Sequence, residues 1–168
     1  SLNIYEESRN QIEHVFNHSR SRPKLKTAMD VMSSIIQNKK PNPIPEIPKE
    51  EVREKIFGKE YSRIKTPQHM AKLINYALHD ILIRYPSTVI FGEDVAIKGG
   101  VYNVTSDLHK IFGVRRVFDS PLDETSIIGF AIGFGHNGFI PIPEIQFLAY
   151  FHNAEDQLRG EAATLPFF

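Results

Sequence analysis

The sequence predicts an α/β fold: part of a doubly wound parallel sheet, preceded by a helical segment and a proline-rich linker. Three observations carry this. Residues 88–94, 116–119 and 142–147 read as strands, short segments centred on apolar residues. Stretches with helical periodicity lie between them, and such alternation implies a parallel sheet with helices on its faces. Four prolines within residues 41–48 separate this part from the helical segment before it, because closely spaced prolines forbid both helix and sheet.

In chain order, residues 1–38 read as two amphipathic helices. Ile4, Ile12, Val15 and Phe16 recur at near-helical spacing, then Leu25, Ala28, Met29, Met32, Ile35 and Ile36, with Pro23 at the start of the second. Residues 39–59 form the linker, with a short helix over 50–57 ended by Gly58 and carrying a solvated charged face. The compact domain is expected over 60–168. Thr66-Pro67 reads as a helix start, the hydroxyl capping and proline in the first turn. Met70, Leu73, Ile74, Ala77, Leu78, Ile81 and Leu82 trace its apolar face, and Pro86 closes it. A buried strand over 88–94 ends in Glu93 and Asp94, whose simplest role is to cap loop amides. A Lys98-Gly99-Gly100 loop, a helix over 105–112 with Gly113 as C-cap, and a strand over 116–119 follow. A glycine-rich helix from Glu124 to about Phe134, a strand over 142–147 and a helix over 153–163 complete the pattern. Such sheets bind ligands beyond the carboxyl ends of their strands.

Composition narrows the function. Among 168 residues, 20 basic side chains balance 20 acidic ones, which gives no electrostatic footprint for nucleic acid or an acidic membrane surface. No apolar run approaches the roughly 20 residues of a membrane span. Cysteine is absent, so there is no disulfide framework, thiolate metal site or cysteine nucleophile. The start has no signal-peptide pattern and no initiator methionine, and the apolar end at Phe167-Phe168 suggests a chain cut from something longer.

Gly133-Phe134-Gly135-His136-Asn137-Gly138 is a literal G-x-G-x-x-G. A dinucleotide site needs a strand before it and a helix opening on it. Here Phe139-Ile140-Pro141-Ile142-Pro143 follows, and its prolines preclude that helix. Gly129 and Gly133 lie one turn apart and suit a close approach of another subunit or domain. His14 and His18 have metal-ligand spacing but no third ligand, so no metal site is assigned. Asp119-Ser120-Pro121-Leu122-Asp123-Glu124 differs from these. It follows a strand, is stiffened by proline, and delivers an acid to a helix start at the carboxyl edge of the sheet. Asp119 or Asp123 could cap that helix, and Glu124 could do no more than favour its dipole.

Five blocks in order extend this. They are Phe91-Gly92-Glu93-Asp94-Val95, Gly99-Gly100-Val101-Tyr102, Val117 to Glu124, Gly129-Phe130-Ala131-Ile132-Gly133, and Pro143-Glu144-Ile145-Gln146-Phe147. Together they resemble the β subunit of thiamine-diphosphate-dependent 2-oxo acid dehydrogenases, over residues 60–168, in the pyrimidine-binding domain of the transketolase-like superfamily. The resemblance implies that Glu124 is the catalytic carboxylate, hydrogen-bonded to the cofactor's aminopyrimidine. Leu122, Gln146 and Tyr150 are implied to line the pyrimidine pocket, with Gln146 and Tyr150 leaning toward the branched-chain members. A dry pocket beside Ile127, Ile128 and Phe147 would suit that carboxyl. Asp123, Ser126 and positions around Ala149, His152, Asn153 and Glu155 depart from the common pattern.

The resemblance further implies thiamine diphosphate as cofactor, with magnesium held by a partner α-like diphosphate-binding domain or subunit. It implies a 2-oxo acid substrate, a lipoyl acyltransferase partner and an oligomer. The family's later catalytic histidine and docking domain fall after Phe168. Residues 1–38 resemble the tail of an α subunit, which suggests a fused α–β chain in the bacterial cytoplasm, with the mitochondrial matrix as the alternative. Acetoin-type or other transketolase-like chemistry, and a non-catalytic assembly fragment, are the competing readings. The isolated chain is expected to be inactive.

Overall fold

The computed structural model describes residues 2–33 and 43–165. It divides into two compact units, residues 1–41 and 42–168. The first contains α1 (Leu2–Ser21) and α2 (Ala28–Ser33), and the apolar side chains of both are exposed. The second helix starts at Ala28 rather than at Pro23, for a local reason. The Thr27 hydroxyl accepts from the Asp30 amide at 3.1 Å, and Asp30 Oδ2 accepts from the Lys26 and Thr27 amides at 3.1 and 3.0 Å. That reciprocal cap nucleates the turn. Ile35, Ile36, residues 39–42 of the expected linker, and the Phe167-Phe168 end lie outside the described residues.

In the second unit, α3 (Glu50–Phe57) ends at Gly58, whose φ of 52° is a conformation natural to glycine. Helix α3, within the expected linker, packs on the rest of this unit. Phe57 is buried against Tyr76 and His79, Arg53 pairs with Asp80 at 2.8 Å, and Arg84 donates to the Pro45 carbonyl at 2.7 Å. The charged face expected to be solvated therefore includes a packed ion pair.

Helix α4 (Met70–Arg84) begins four residues after Thr66. The Thr66 hydroxyl donates back to the Arg63 carbonyl, closing the preceding 3₁₀ turn instead of capping α4. Then come β1 (Thr88–Gly92), α5 (Leu108–Phe112), β2 (Val117–Asp119), α6 (Glu124–His136) and β3 (Ile140–Pro143). Helix α5 is shorter than predicted because the Thr105 hydroxyl donates to the Val95 carbonyl at 2.8 Å and holds its own residue in the loop.

The strands are parallel, in the order β2-β1-β3. All five residues of β1 are buried, as a central strand in a two-layered cover requires. Its alternation divides the core. Ile90 joins Leu78, Leu82, Leu108 and Val117 beneath α4 and α5. Val89 and Phe91 join Ile127 beneath α6. Helices therefore cover both faces, the doubly wound arrangement expected.

The third strand occupies residues 140–143 rather than 142–147, with two prolines in it. It is an edge strand whose Ile140 and Glu144 amides donate to the Ser87 and Phe91 carbonyls at 3.0 and 2.8 Å. Pro141 and Pro143 occupy the alternate positions, whose missing N–H groups face away from β1, so they break no ladder bond. Beyond it, residues 148–154 form a 3₁₀ helix and 157–162 a π-helical turn, where one continuous helix over 153–163 was expected. No helix of the described residues is long and apolar enough to cross a membrane.

Candidate active site at the carboxyl edge of the sheet

The turn after β2 brings Glu124 to the first residue of α6. Asp123 caps this helix: its carboxylate accepts from the Ser126 amide at 3.1 Å and also from the Ser126 hydroxyl. Two of the departures from the family pattern thus form one capping pair. Asp119, the other candidate cap, does different work. Its Oδ1 accepts from the Ala96 amide at 2.8 Å and ties the loop after β1 to the end of β2.

Glu124 is half-buried, and its Oε2 accepts from Asn153 Nδ2 at 3.1 Å. The Asn153 carbonyl accepts from the Thr125 hydroxyl at 2.7 Å. This pair of bonds clamps the 3₁₀ helix of residues 148–154 onto the first turn of α6. Oε1 of Glu124 has no partner among the described residues. Asn153 had no assigned role in the sequence, where it stood only as a departure from pattern. Its signal, an amide side chain in a helix-forming stretch, is common and local, whereas its partner is 29 positions away.

The other predicted residues gather less tightly. Leu122 is 71% exposed and Tyr150 48% exposed. Tyr150 meets Phe147 edge-on, with ring centroids 5.9 Å apart. Gln146 is half-buried, its amide without a partner among the described residues. Ile127 and Ile128 are buried as expected, but Phe147 is 47% exposed. The described residues therefore do not enclose the dry pocket expected around Glu124.

A second carboxylate in this edge carried no assigned role. Glu144, directly after β3, has Oε2 sealed from solvent with no hydrogen-bond partner, while Oε1 accepts from the Val101 amide at 3.3 Å. Burial pushes its carboxyl above the usual range, opposed by the Val101 amide and reinforced by Asp94 and Glu93. Two glycines make room for it. A Cβ at Gly92 would lie 2.8 Å from Glu144 Cβ, and one at Gly100 would lie 2.6 Å from Oε1. Of the acids ending β1, Asp94 pairs with Lys98 at 3.1 Å, and its carbonyl accepts from the Gly100 amide. The G-x-G-x-x-G stretch is the end of α6 and its C-cap, where Asn137 Nδ2 donates to the Gly133 carbonyl at 2.8 Å. It opens no helix.

The chain is similar in sequence to several known proteins. The 3-methyl-2-oxobutanoate dehydrogenase subunit beta of Mycobacterium tuberculosis is 47% identical over 94 residues, 56% of this chain and 27% of that one. The pyruvate dehydrogenase E1 component subunit beta of Staphylococcus epidermidis is 45% identical over 98 residues, 58% of this chain and 30% of that one. The 2-oxoisovalerate dehydrogenase subunit beta of Pseudomonas aeruginosa is 42% identical over 106 residues, 63% of this chain and 30% of that one. The chain thus spans 27–30% of the length of these relatives. Residues 66–165, more than half the chain, match the family described as transketolase, pyrimidine binding domain, and the chain belongs to that family.

Proposed function

We propose that this chain supplies the aminopyrimidine-activating half of a thiamine-diphosphate site, in the decarboxylating component of a 2-oxo acid dehydrogenase, with Glu124 as the catalytic carboxylate. The observation that carries the reading is the state of that side chain. It stands at the carboxyl edge of a parallel sheet, with one oxygen held by Asn153 and the other free to meet a ring nitrogen. The residues suit a flat heteroaromatic ring. A free carboxylate oxygen faces the task of sharing a proton, and the exposed surfaces of Leu122, Phe147 and Tyr150 are apolar and uncovered. The names of the relatives point the same way.

When bound, thiamine diphosphate supplies the carbon nucleophile for a 2-oxo group and the sink for the electrons released with carbon dioxide. The chain's part is to hold a proton at Glu124 Oε1. Asn153 fixes the carboxylate through Oε2, so that Oε1 is the oxygen presented. Leu122, Gln146 and Tyr150 line the ring. Water exclusion, which would raise the carboxyl's affinity for a proton, falls to a partner surface. That partner is an α-like diphosphate-binding domain or subunit holding magnesium, and residues 1–38 are the tail of such a half in a fused α–β chain. A lipoyl acyltransferase receives the acyl group. The enzyme is cytoplasmic and oligomeric on this reading, and pyruvate and 3-methyl-2-oxobutanoate are the substrates to compare.

The test is Glu124→Gln in the full-length enzyme. Loss of general acid–base function should lower decarboxylation by about 10²–10⁴-fold while cofactor binding, measured by calorimetry, is largely retained. Turnover equal to wild type would exclude the role.

A further inference from the structure

On the face of the sheet away from α6, a cavity of about 390 Å³ opens between α3, α4 and α5. That is within the usual size range of small-molecule sites. Its walls carry three kinds of group. Ile56, Phe57 and Ile111 are apolar. Lys59 and Lys110 line it without an ion-pair partner among the described residues, whereas the third lysine, Lys72, is bound to Glu60 at 3.2 Å. Asp107 and His79 supply the acceptors.

His79 is 5% exposed and its proton is assigned by its neighbour. Nδ1 lies 2.8 Å from the Asn75 carbonyl, which only accepts, so Nδ1 carries the hydrogen and Nε2 a lone pair. Nε2 has no partner among the described residues, yet it is not among the side-chain atoms sealed from solvent. Burial lowers the pKa of this ring and favours that neutral form. The rings of Phe57 and Phe112, with centroids at 5.0 and 6.0 Å, hold it in place. Asp107 has a φ of 64° and precedes α5, but its side chain makes no capping bond. A non-glycine residue in this region is strained and persists only where its surroundings hold it. Glu60 is already taken by Tyr76, Lys72 and Arg63, so Asp107 is the acid left for a ligand.

We propose that this cavity binds a zwitterionic α-amino acid with an apolar side chain. Lys59 and Lys110 take the carboxylate, Asp107 and His79 Nε2 take the ammonium, and Ile56 and Ile111 take the side chain. A simple anion suits the walls less well, because Asp107 would repel it. The site is independent of Glu124, which lies on α6 across the sheet.

The test is titration of the full 168-residue chain with leucine, followed by amide chemical shifts. 4-Methylpentanoate, lacking the ammonium, and 3-methylbutylamine, lacking the carboxylate, are the comparison probes. Leucine should give saturable shifts around residues 56–59 and 106–111, and each comparison probe should bind at least about ten-fold more weakly, the loss of one charge-assisted contact. Lys110→Met and Asp107→Asn should each weaken leucine binding by a similar factor. Asparagine tolerates a positive φ, so Asp107→Asn removes the charge without new backbone strain. The proposal is overturned if leucine gives no saturable shift, if 4-methylpentanoate binds as tightly as leucine, or if both folded variants bind leucine as wild type does.

Discussion

Phe91 is the central side chain of the layer that supports α6, and its truncation should be felt throughout the unit. It is fully buried, stacks on Phe118 with centroids 5.4 Å apart and planes 7° apart, and meets Phe134 of α6 at 5.4 Å. Phe91→Ala removes a ring enclosed by β2 on one side and β3 on the other, so the site cannot collapse without moving the sheet. Such truncations cost about 3–5 kcal/mol. Against a total stability of about 5–15 kcal/mol, this is a large fraction. With a urea dependence of about 2 kcal/mol per molar, the midpoint of unfolding, followed by circular dichroism, should fall by about 2 M. The same measurement on Phe118→Ala and on the double variant should give a coupling of about 0.5–1.5 kcal/mol from the lost ring pair. A midpoint shift below about 0.5 M would refute the assignment of Phe91 to a closed aromatic layer, and zero coupling would refute the stack.

Asn153→Ala frees Glu124 Oε2, and in the full-length enzyme kcat/KM should fall about five-fold for the loss of roughly 1 kcal/mol of orienting hydrogen bond; an unchanged value would detach Asn153 from the site. Arg53→Met keeps an apolar stem against Phe57 but removes the pair with Asp80, whose side chains are 19% and 34% exposed. After solvent screening this is about 1–2 kcal/mol, a drop in melting temperature of about 2–8 °C, and no drop would return α3 to the status of a tether. Glu144→Gln keeps the acceptor for the Val101 amide but cannot ionise. The native carboxyl titrates above the unfolded value of 4.5, so wild type binds more protons folded than unfolded and loses stability as pH rises through that window. The variant should therefore be the more stable at pH 7, with the difference closing as pH falls toward 4.5. A difference that does not change with pH would count against a buried ionisable Glu144.

Some of this molecule is decided by local chemistry and was legible in the chain. The strand over 88–92, the stop at Gly58 and the start of α6 depend on side-chain pattern and backbone freedom within a few residues. Glu124 was legible for the same reason, since a strand, a proline turn and a helix start are all near neighbours of it. Other features depend on contacts distant in sequence. Thr66 looked like a cap, but its hydroxyl closes the turn before it. The third strand was expected over 142–147, but it runs over 140–143, where an edge position turns the nitrogens of Pro141 and Pro143 away from β1. Residues 39–59 read as a linker, yet Phe57 and Arg53 within it find partners more than 18 residues later. Asn153 and the Glu144 cradle follow the same rule: a polar side chain shows its purpose only when the fold brings its partner within about 3 Å. The sequence by itself determined which acid stands at the helix start, because that placement is local. The tertiary structure decided what holds that acid and what supports it from below, because hydrogen bonds and ring contacts across the sheet are set by register and layer packing, which no short stretch of chain specifies.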